Sequence, residues 1–359
     1  MISTARPLHV LFPLSAAVLF LGGCKPTPGV IGEQDNLSAD PSGLMIPVPL
    51  GNRQEPAAHK IAICLSNATD PHQSVQINLL ANLLREAGNY TLSFSDAKGS
   101  AKLQTEQLHS LMETKQKAVL VLPVDAAAAK NEITALRLAG TFVVGLDASL
   151  NDDSCDTVVF CDQKKIGMRA GEVIVNALKR KAQDSGAAEV TGRVVQIQGD
   201  ENHPYCRARN EGFLAGLKAE PGIILVHDAS ANWNQANAGL QFKEALRLQK
   251  TFDAVYAHND IMALGVSDAA LEQQVRDSIL IVGTDGIDGP GGGLEMLLKN
   301  EIDATVHQPL LTDFVWSIID KMAKDPGFKP KASYEIEPVA FTPKNREELR
   351  AKGLTVPPL

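Results

Sequence analysis

Short apolar runs alternate with longer amphipathic stretches along the chain from about residue 59 onward. Runs of four to eight apolar residues are typical of buried strands, and apolar residues three and four positions apart are typical of helices. The pattern predicts strands at residues 60–65, 90–94, 118–122, 141–146, 157–160, 193–198, 222–226, 254–257, 279–282 and 304–306. It predicts helices between and after them, at residues 71–87, 101–115, 126–139, 164–182, 204–218, 233–248, 260–273, 293–299 and 310–324.

This alternation predicts an α/β fold in which parallel strands are covered by helices on both faces. A single sheet would need about ten strands, which is close to the upper limit for a strongly twisted open sheet. Two doubly wound parallel-sheet lobes are therefore the better prediction. The seam between them is expected near residue 160, about halfway through the folded body.

Composition and charge narrow the class of protein. The chain has 359 residues, of which 44% are hydrophobic and 21% charged, and its mean hydropathy is close to zero. Such values are typical of a protein that folds in water, and they argue against a bundle of membrane-spanning helices. The formal net charge is −8, so the basic surface that nucleic acid binding requires is missing and no nucleic acid partner is expected.

The first 23 residues have the features of a signal peptide. Arg6 lies near the start, an apolar run covers residues 11–21, and two glycines precede Cys24. The end of this segment resembles the bacterial lipoprotein box, in which small residues precede a cysteine that becomes lipid-modified; an ordinary leader with an incidental cysteine is the alternative. We expect export to the periplasm or cell surface, with membrane contact only through a lipid anchor on Cys24.

Residues 24–57 are rich in Pro, Gly, Asn and Ser and lack a sustained period, which predicts a flexible tether. The other four cysteines are Cys64, Cys155, Cys161 and Cys206. Export permits disulfides, but the spacing favours none of the possible pairings. Cys64 lies in an apolar run and is expected to be a buried core residue. No Cys-x-x-Cys or other metal-ligand spacing occurs, so no metal site is expected.

Polar side chains and one large aromatic residue collect just after the predicted strands, at the edge where open parallel sheets bind ligands. These candidates are Ser66, Asp70, His72, Gln73, Asp125, Asp147, His203, Arg207, Arg209, Trp233, Asn259, Asp260, Asp285 and Gln308. An Asp, Asn or Ser at a strand-to-helix junction is also the kind of residue that caps a helix. Asp70, Asp125 and Asp260 could be no more than caps.

Six short segments share the pattern of one family. They are Asp70-Pro71, Leu146-Asp147, Arg207-Ala-Arg209-Asn-Glu211-Gly212-Phe213, Ala257-His-Asn259-Asp260-Ile-Met262-Ala263-Leu264-Gly265, Val282-Gly283-Thr-Asp285-Gly286 and Ala304-Thr305-Val-His-Gln308. Over residues 59–342, in their order and spacing, the chain resembles the periplasmic sugar-binding proteins of the ribose-binding type. These proteins share a two-lobed fold with the effector domain of the lactose repressor. A repressor would carry a helix-turn-helix before the lobes, where this chain has a lipoprotein leader.

The resemblance implies which residues hold the ligand. Sugar hydroxyls are hydrogen-bonded in the family at the positions of Asp147, Arg209, Asn259, Asp285 and Gln308, and a ring at the position of Trp233 stacks on the sugar. Asp70, His72 and Gln73 fall in the first ligand loop. The chemistry agrees, because carboxylates and guanidinium groups grip adjacent hydroxyls and an aromatic ring accepts a C–H face.

Several positions depart from the family pattern. The family's Asp-Arg is Asp147-Ala148 here, and His72 and Gln73 stand where ribose binders have paired Phe. Leu122 and Asp70 each replace a family Asn. These changes make ribose itself doubtful, and three acidic candidates against Arg209 disfavour an anionic ligand. A neutral sugar or polyol, or a sugar that bears an amine, fits better.

The resemblance also implies a type I periplasmic binding protein whose two lobes are joined by a multi-strand hinge, with crossings near residues 160–162, 306–308 and 334–341. The expected domains are a signal peptide at 1–23, a tether at 24–57, an N-terminal lobe of 58–161 with 309–333, a C-terminal lobe of 162–308 with 334–345, and a tail at 346–359. A short surface helix is expected at 345–352.

The expected partner is an ABC permease in the membrane, which recognises the closed form of a monomeric receptor. A ligand sensor for a histidine kinase or chemoreceptor is the alternative, and a glycan-modifying enzyme is a more distant one. No catalytic motif, phosphate loop or cofactor motif occurs, so neither catalysis nor a cofactor is expected. His203, His258 and His307 lack the spacing of a metal site.

Overall fold

The computed structural model describes residues 46–48 and 59–345. The predicted signal peptide, Cys24 with its lipid, most of the predicted tether and the tail with nearly all of its predicted helix lie outside the described residues. No helix in the described ranges combines the length and the apolar character needed to cross a membrane.

The first sheet forms one lobe together with the helices that pack on it. Side by side, its seven strands are β1 (Ile46–Val48), β3 (Tyr90–Asp96), β2 (His59–Leu65), β4 (Ala118–Val121), β5 (Phe142–Gly145), β6 (Thr157–Phe160) and β12 (Ser333–Glu335). All neighbours are parallel except β1, which is antiparallel to β3. The helices of this lobe are α1 (Pro71–Ala87), α2 (Ala101–Leu111), α3 (Ala126–Leu138) and α9 (Leu311–Lys324).

The second sheet forms the other lobe. Its six strands lie in the order β13 (Val339–Phe341), β11 (Ala304–His307), β10 (Leu280–Asp285), β9 (Ala254–Ala257), β7 (Gly192–Gln198) and β8 (Ile223–Ser230). They are parallel except β13, which is antiparallel to β11. The helices are α4 (Gln163–Ser185), α5 (Pro204–Leu217), α6 (Gln235–Gln249), α7 (Asp260–Glu272) and α8 (Gly293–Leu298). The predicted α/β fold with two mostly parallel sheets is confirmed.

Local signals in the sequence explain where the helices begin and end. The Asp70 side chain accepts a hydrogen bond from the Gln73 N–H at 3.0 Å, Pro71 occupies the first turn, and Gly88 ends α1 in the left-handed conformation. Asp at the N-cap and Pro at the first helical position are both favoured there. The observed helix has the predicted bounds of residues 71–87.

The core is aliphatic, as the low aromatic content of 5% requires. The middle strands of the first sheet are buried on both faces, and Cys64 in β2 is fully buried as expected. Burial raises the pKa of its thiol to about 11. Cys64, Cys155, Cys161 and Cys206 are all buried and none is joined to another.

The predicted tether contains a strand that the sequence pattern missed. Residues 46–48 form β1, with Ile46 opposite Phe94 and Val48 opposite Leu92. Three residues that include a proline are too short to show a strand period, yet proline is tolerated at a sheet edge. The tether prediction was therefore wrong for these three residues, which cover the edge of β3.

The chain crosses between the sheets after β6, after β11 and between β12 and β13. The last crossing, between Glu335 and Val339, lies within the predicted range of residues 334–341, but the boundary of the first lobe lies two residues later than predicted. Ser333–Glu335 pairs in parallel with β6, so residues 334 and 335 belong to the first sheet rather than to the second lobe. The Ile336 N–H then donates to the Phe160 carbonyl at 2.8 Å before the chain reaches β13.

Two glycines allow α4 and α5 to approach closely. A Cβ on Gly167 would lie 1.9 Å from the carbonyl oxygen of Arg209, and one on Gly212 would lie 1.8 Å from the carbonyl oxygen of Lys164. No side chain fits at such distances, so the glycines set the spacing of the two helices. They also fix the position of Arg209, which α5 carries.

We predict that Gly167→Ala forces α4 and α5 apart and destabilises the protein by about 1–3 kcal/mol, the usual cost of overpacking. Ligand affinity falls as well, because Arg209 moves with α5. Asn176→Ala, at an exposed position of α4, is the matched control and should change stability by less than about 0.5 kcal/mol. Denaturant unfolding measures both variants, and equal stabilities would contradict the packing argument.

Candidate ligand-binding site

The candidate residues lie where strand ends meet helix starts on both sheets. Asp70 caps α1 and is followed by His72 and Gln73; Asp147 follows β5; Arg209 lies on α5; Trp233 precedes α6; Asn259 caps α7; Asp285 ends β10; and Gln308 follows β11. In parallel sheets this edge collects the N-termini of the helices and is the usual place for a ligand.

Arg209 is the centre of a hydrogen-bond network although its side chain is buried. Its Nε donates to Gln163 Oε1 at 2.9 Å, one terminal nitrogen donates to the His258 carbonyl oxygen, and the other donates to Gln308 Oε1. Its guanidinium carbon lies 5.7 Å from the centre of the Trp233 ring. Three separate acceptors fix the plane of the guanidinium, so the group is preorganised.

Gln308 connects this network to the first lobe. The backbone carbonyl oxygen of Gln308 lies 3.2 Å from His72 Nε2, and the side-chain Nε2 of Gln308 lies 3.4 Å from His72 Nδ1. Burial lowers the pKa of His72, although Asp70 acts in the opposite direction. A neutral imidazole with its proton on Nε2 satisfies both contacts, because it donates to the carbonyl and accepts from the amide. The pair thus joins α1 to the crossing that follows β11.

Asp285 has a backbone conformation that L-residues rarely adopt, with φ at 114°. Such strain costs about 1–3 kcal/mol and persists where the surroundings over-determine it, commonly at functional sites. Its partly exposed carboxylate receives no hydrogen bond from any described residue. Removal from water raises its pKa well above the usual value, and Arg209 partly opposes this while Asp260 and Asp70 add to it.

Asp260 supports the turn that carries Asp285. The Gly286 N–H donates to Asp260 Oδ2 at 2.7 Å, and the carboxylate is buried. A Cβ on Gly283 would lie 2.2 Å from Asp260 Oδ1, and one on Gly293 would lie 1.8 Å from Oδ2. The carboxylate therefore occupies the space that side chains at these glycines would need. Burial raises its pKa to about 7.

This raised pKa predicts a pH dependence of stability. The folded protein keeps a proton on Asp260 up to about pH 7, whereas the unfolded chain loses it near pH ~4. The contribution of Asp260 to stability therefore falls as pH rises from about 4 to 7. Asp260→Asn keeps an oxygen for the Gly286 N–H but cannot ionise. The melting temperature of the variant minus that of wild type should therefore increase as pH rises from about 4 to 7. A difference that does not change with pH would contradict the prediction.

Trp233 lies against the backbone of the second lobe. Its φ is 59°, and the ring is so close to Gly199 that a Cβ there would lie 2.2 Å from Cε2. The His203 and His258 rings lie 6.1 Å and 6.2 Å from it, centre to centre. The indole is partly buried and held at a fixed angle, so it can present an apolar surface next to Arg209.

Three candidates serve local structure. The Asn259 Oδ1 accepts from the Met262 N–H at 2.9 Å, as Asp70 does from Gln73, so both are helix caps. The other Asp70 oxygen stays at the exposed edge, and its charge acts on His72, His203, Tyr205 and Asp285. The Gln73 amide bonds Ser66 Oγ and the Asn67 N–H, which organises the loop after β2.

Asp147 is also engaged within the protein. Its Oδ1 accepts from the Ser149 N–H at 2.8 Å and from the Ser149 hydroxyl at 2.5 Å, and its Oδ2 accepts from the Tyr205 hydroxyl at 2.6 Å. Asp147 belongs to the first lobe and Tyr205 to the second. The resemblance implies a direct sugar contact at Asp147, and in the structure both of its oxygens accept hydrogen bonds from within the protein.

His203, His258 and His307 each have a partner within the protein. His203 Nδ1 accepts from the Tyr205 N–H at 3.2 Å. His258 Nε2 bonds the Gln196 amide at 2.7 Å, and His307 Nδ1 lies 3.0 Å from the Asp285 carbonyl oxygen. Burial lowers the pKa of His258 well below its usual value, with Arg209 adding to the effect. Among residues 46–48 and 59–345, no three His, Cys, Asp or Glu side chains come together as a metal site would require.

Comparison with known proteins assigns the family. The family described as the periplasmic binding protein domain matches residues 61–310. The chain belongs to this family. The ribose import binding protein of Bacillus subtilis (strain 168) is 25% identical over 273 residues, which is 76% of this chain and 82% of that relative.

Solved structures agree with this assignment at the level of the fold. An ABC transporter solute binding protein from Bacillus halodurans C-125, with bound myo-inositol, has a TM-score of 0.69 at 21% identity and covers 84% of this chain and 100% of its own. The fructose-binding periplasmic domain of a hybrid two-component system has a TM-score of 0.66 at 22% identity and covers 82% and 94%. The resemblance to the ribose-binding type and the type I fold are thus confirmed.

The relatives of this periplasmic binding protein are binding proteins rather than enzymes, which agrees with the expectation that the chain catalyses no reaction. Sequence reasoning missed Gln163 and His258 as partners of Arg209, and Tyr205 as the partner of Asp147. Gln163 begins α4 and Tyr205 lies in the first turn of α5. Their positions after strands β6 and β7 were the available signal.

Proposed function

We propose that this periplasmic binding protein holds a neutral monosaccharide or polyol between its two lobes and delivers it to an ABC permease. The observation that carries the proposal is the free carboxylate of Asp285 beside the fixed guanidinium of Arg209 and the ring of Trp233. A carboxylate accepts from two hydroxyls, the remaining guanidinium hydrogens donate to others, and the ring receives the C–H face.

The number of such groups is sufficient for useful affinity. Charge-assisted hydrogen bonds contribute about 1.5–3 kcal/mol each and aromatic stacking about 0.5–1.5 kcal/mol. Three or four bonds and one ring can therefore supply the ~8 kcal/mol of a micromolar complex if the site is preorganised. The network around Arg209 supports that condition.

Charge argues for a ligand without negative groups. The charges of Asp70 and Asp260 act on Asp285, where Arg209 is the one cation that opposes them, and Ala148 stands where the family has a second basic residue. A sugar phosphate would meet repulsion from these carboxylates. Sugars and polyols are also the ligands in the names of the relatives: ribose, myo-inositol and fructose.

Binding is coupled to movement of the lobes in this proposal. The proposed N-terminal lobe holds Asp70, His72 and Gln73, and the C-terminal lobe holds Arg209, Trp233, Asn259 and Asp285, while Gln308 lies at a crossing. A ligand touched from both sides favours the closed form over the open one. The permease then recognises the closed receptor.

Export and anchoring complete the proposal. The leader sends the chain to the periplasm or the cell surface, and lipid on Cys24 keeps the monomeric receptor close to the permease. Mass spectrometry of the mature protein from its native membrane tests this step, and an unmodified Cys24 would contradict it.

A second candidate is a sensor that uses the same closure to signal to a histidine kinase or chemoreceptor. The similarity to a periplasmic domain of a hybrid two-component system favours it. The genes next to this one separate the two candidates, because an adjacent permease and ATPase support import and an adjacent kinase supports sensing.

A thermal-shift screen of neutral sugars, polyols, amino sugars and sugar phosphates tests the ligand class, because a ligand of the native state raises the melting temperature. We expect a neutral compound to give the largest shift and calorimetry to give a dissociation constant of about 1 μM. Recovery of the compound unchanged after incubation agrees with a receptor. A shift caused by sugar phosphates alone, or conversion of the sugar, would contradict the proposal.

A further inference from the structure

The side chains of Tyr205 and Asp147 make a direct hydrogen bond between the two lobes. Tyr205 lies in the first turn of α5 in the second lobe, and Asp147 follows β5 in the first. The Tyr205 hydroxyl donates to Asp147 Oδ2 at 2.6 Å. This length is typical of a hydroxyl that donates to an ionised carboxylate, which is among the stronger hydrogen bonds in proteins.

The Asp147 side is held rigidly before Tyr205 reaches it. Asp147 caps the short helical turn Ala148–Leu150, and its Oδ1 accepts both the N–H and the hydroxyl of Ser149. These bonds leave Oδ2 directed at the second lobe. The carboxylate therefore needs no rearrangement to receive the tyrosine.

The Tyr205 side is equally fixed. Its ring packs edge-on against His203, with centres 5.1 Å apart, and α5 is held against α4 by the close contact at Gly167. Burial raises the pKa of Tyr205 well above its usual value, and Asp147 adds to the effect. The hydroxyl thus stays protonated and remains a donor.

We propose that Tyr205 and Asp147 form a latch that sets ligand affinity by holding the lobes together before any ligand arrives. This inference rests on the proposed closure of the lobes around a ligand. Asp147 is then a positioning residue that acts through Tyr205 and does not contact the sugar. Asp147 directly precedes Ala148, where the family has a basic residue that binds the ligand. Closure of the lobes before the ligand arrives compensates for the affinity lost with that contact.

The physical reason is a shift of population. The apparent affinity of a receptor is its intrinsic affinity multiplied by the fraction that is already competent to bind. A bond present in the unliganded closed form raises that fraction and slows ligand release. Removal of the latch should therefore open the free protein and weaken binding without any change in the groups that touch the ligand.

The experiment compares wild type with Tyr205→Phe, Asp147→Ala and the double variant. Small-angle scattering without ligand should give a larger radius of gyration for all three variants. Calorimetry with the sugar identified in the screen should give about a tenfold loss of affinity for each single variant, and the double variant should lose no more than either single one. Stopped-flow measurements should place the loss mainly in the dissociation rate.

Tyr90→Phe is the matched control, because Tyr90 lies in β3 and packs against Trp316 outside this cleft. It should behave as wild type in both measurements. The latch is refuted if Tyr205→Phe changes neither the radius of gyration nor the affinity, or if Asp147→Ala costs far more than Tyr205→Phe and the two losses add. The scattering experiment needs no ligand, so its result stands even if no sugar binds and the proposed function fails.

Discussion

Asp285→Ala lowers sugar affinity by about 100-fold or more, while the melting temperature of the unliganded protein stays the same or rises. The loss follows from two charge-assisted hydrogen bonds of ~1.5–3 kcal/mol each that the carboxylate can make to adjacent hydroxyls. Stability does not fall, because the carboxylate receives no hydrogen bond from the described residues and its burial is unfavourable. Calorimetry and thermal unfolding measure the two effects.

Asp277→Ala is the matched control for this prediction. Asp277 is exposed and lies just before β10, whereas Asp285 ends the same strand. The control removes an equal charge from the opposite end of the strand and should leave affinity unchanged. If Asp285→Ala binds as tightly as the control, Asp285 is not a ligand contact and the proposed site is wrong.

Trp233→Ala lowers affinity by about 10- to 100-fold, because it removes both the stacking surface and the apolar cover of the site. The ring also packs against the core of the second lobe, so the melting temperature falls moderately. Trp233→Phe keeps an aromatic face and should recover most of the affinity. Equal affinities for the alanine and phenylalanine variants would contradict a stacking role.

The chain has two tryptophans, so removal of one allows the fluorescence of Trp233 to report on ligand binding at this site. The other, Trp316, lies on α9 and packs edge-on against Tyr90 with centres 5.0 Å apart. Trp316→Phe should bind the ligand as wild type does, and its remaining fluorescence comes from Trp233. We expect that fluorescence to change on addition of ligand, and an unchanged spectrum at saturation would argue against contact.

The sequence predicted the fold well because each strand and helix has a local signal. The buried strand at 157–160 and helix α1 have the predicted bounds, since a continuous apolar run and a capped amphipathic stretch are readable within a few residues. The sequence pattern did not predict β1, because its three residues become a strand only by pairing with β3. Residues 334 and 335 were assigned to the second lobe for the same reason, because only their pairing with β6 places them in the first sheet.

The site was predictable in its location but less so in its contacts. Strand ends and family positions identified Arg209, Asp285 and Gln308, which the structure relates through hydrogen bonds or shared backbone turns. Whether a carboxylate is free or occupied depends on partners distant in sequence. Tyr205 lies 58 positions from Asp147, and no local pattern marks that pair.

The first lobe is built from two distant parts of the chain, one before α4 and one after β11, and this affects how it folds during synthesis. The Gln76 Oε1 of α1 accepts the Leu311 N–H of α9 at 3.0 Å, and the Gln76 carbonyl accepts the Thr312 hydroxyl at 3.2 Å. The last strand of the first sheet, β12, is later still in the chain. The first lobe therefore cannot complete its sheet until the ribosome has synthesised the chain through Glu335, and no single cut in the coding sequence separates the two lobes into independent pieces.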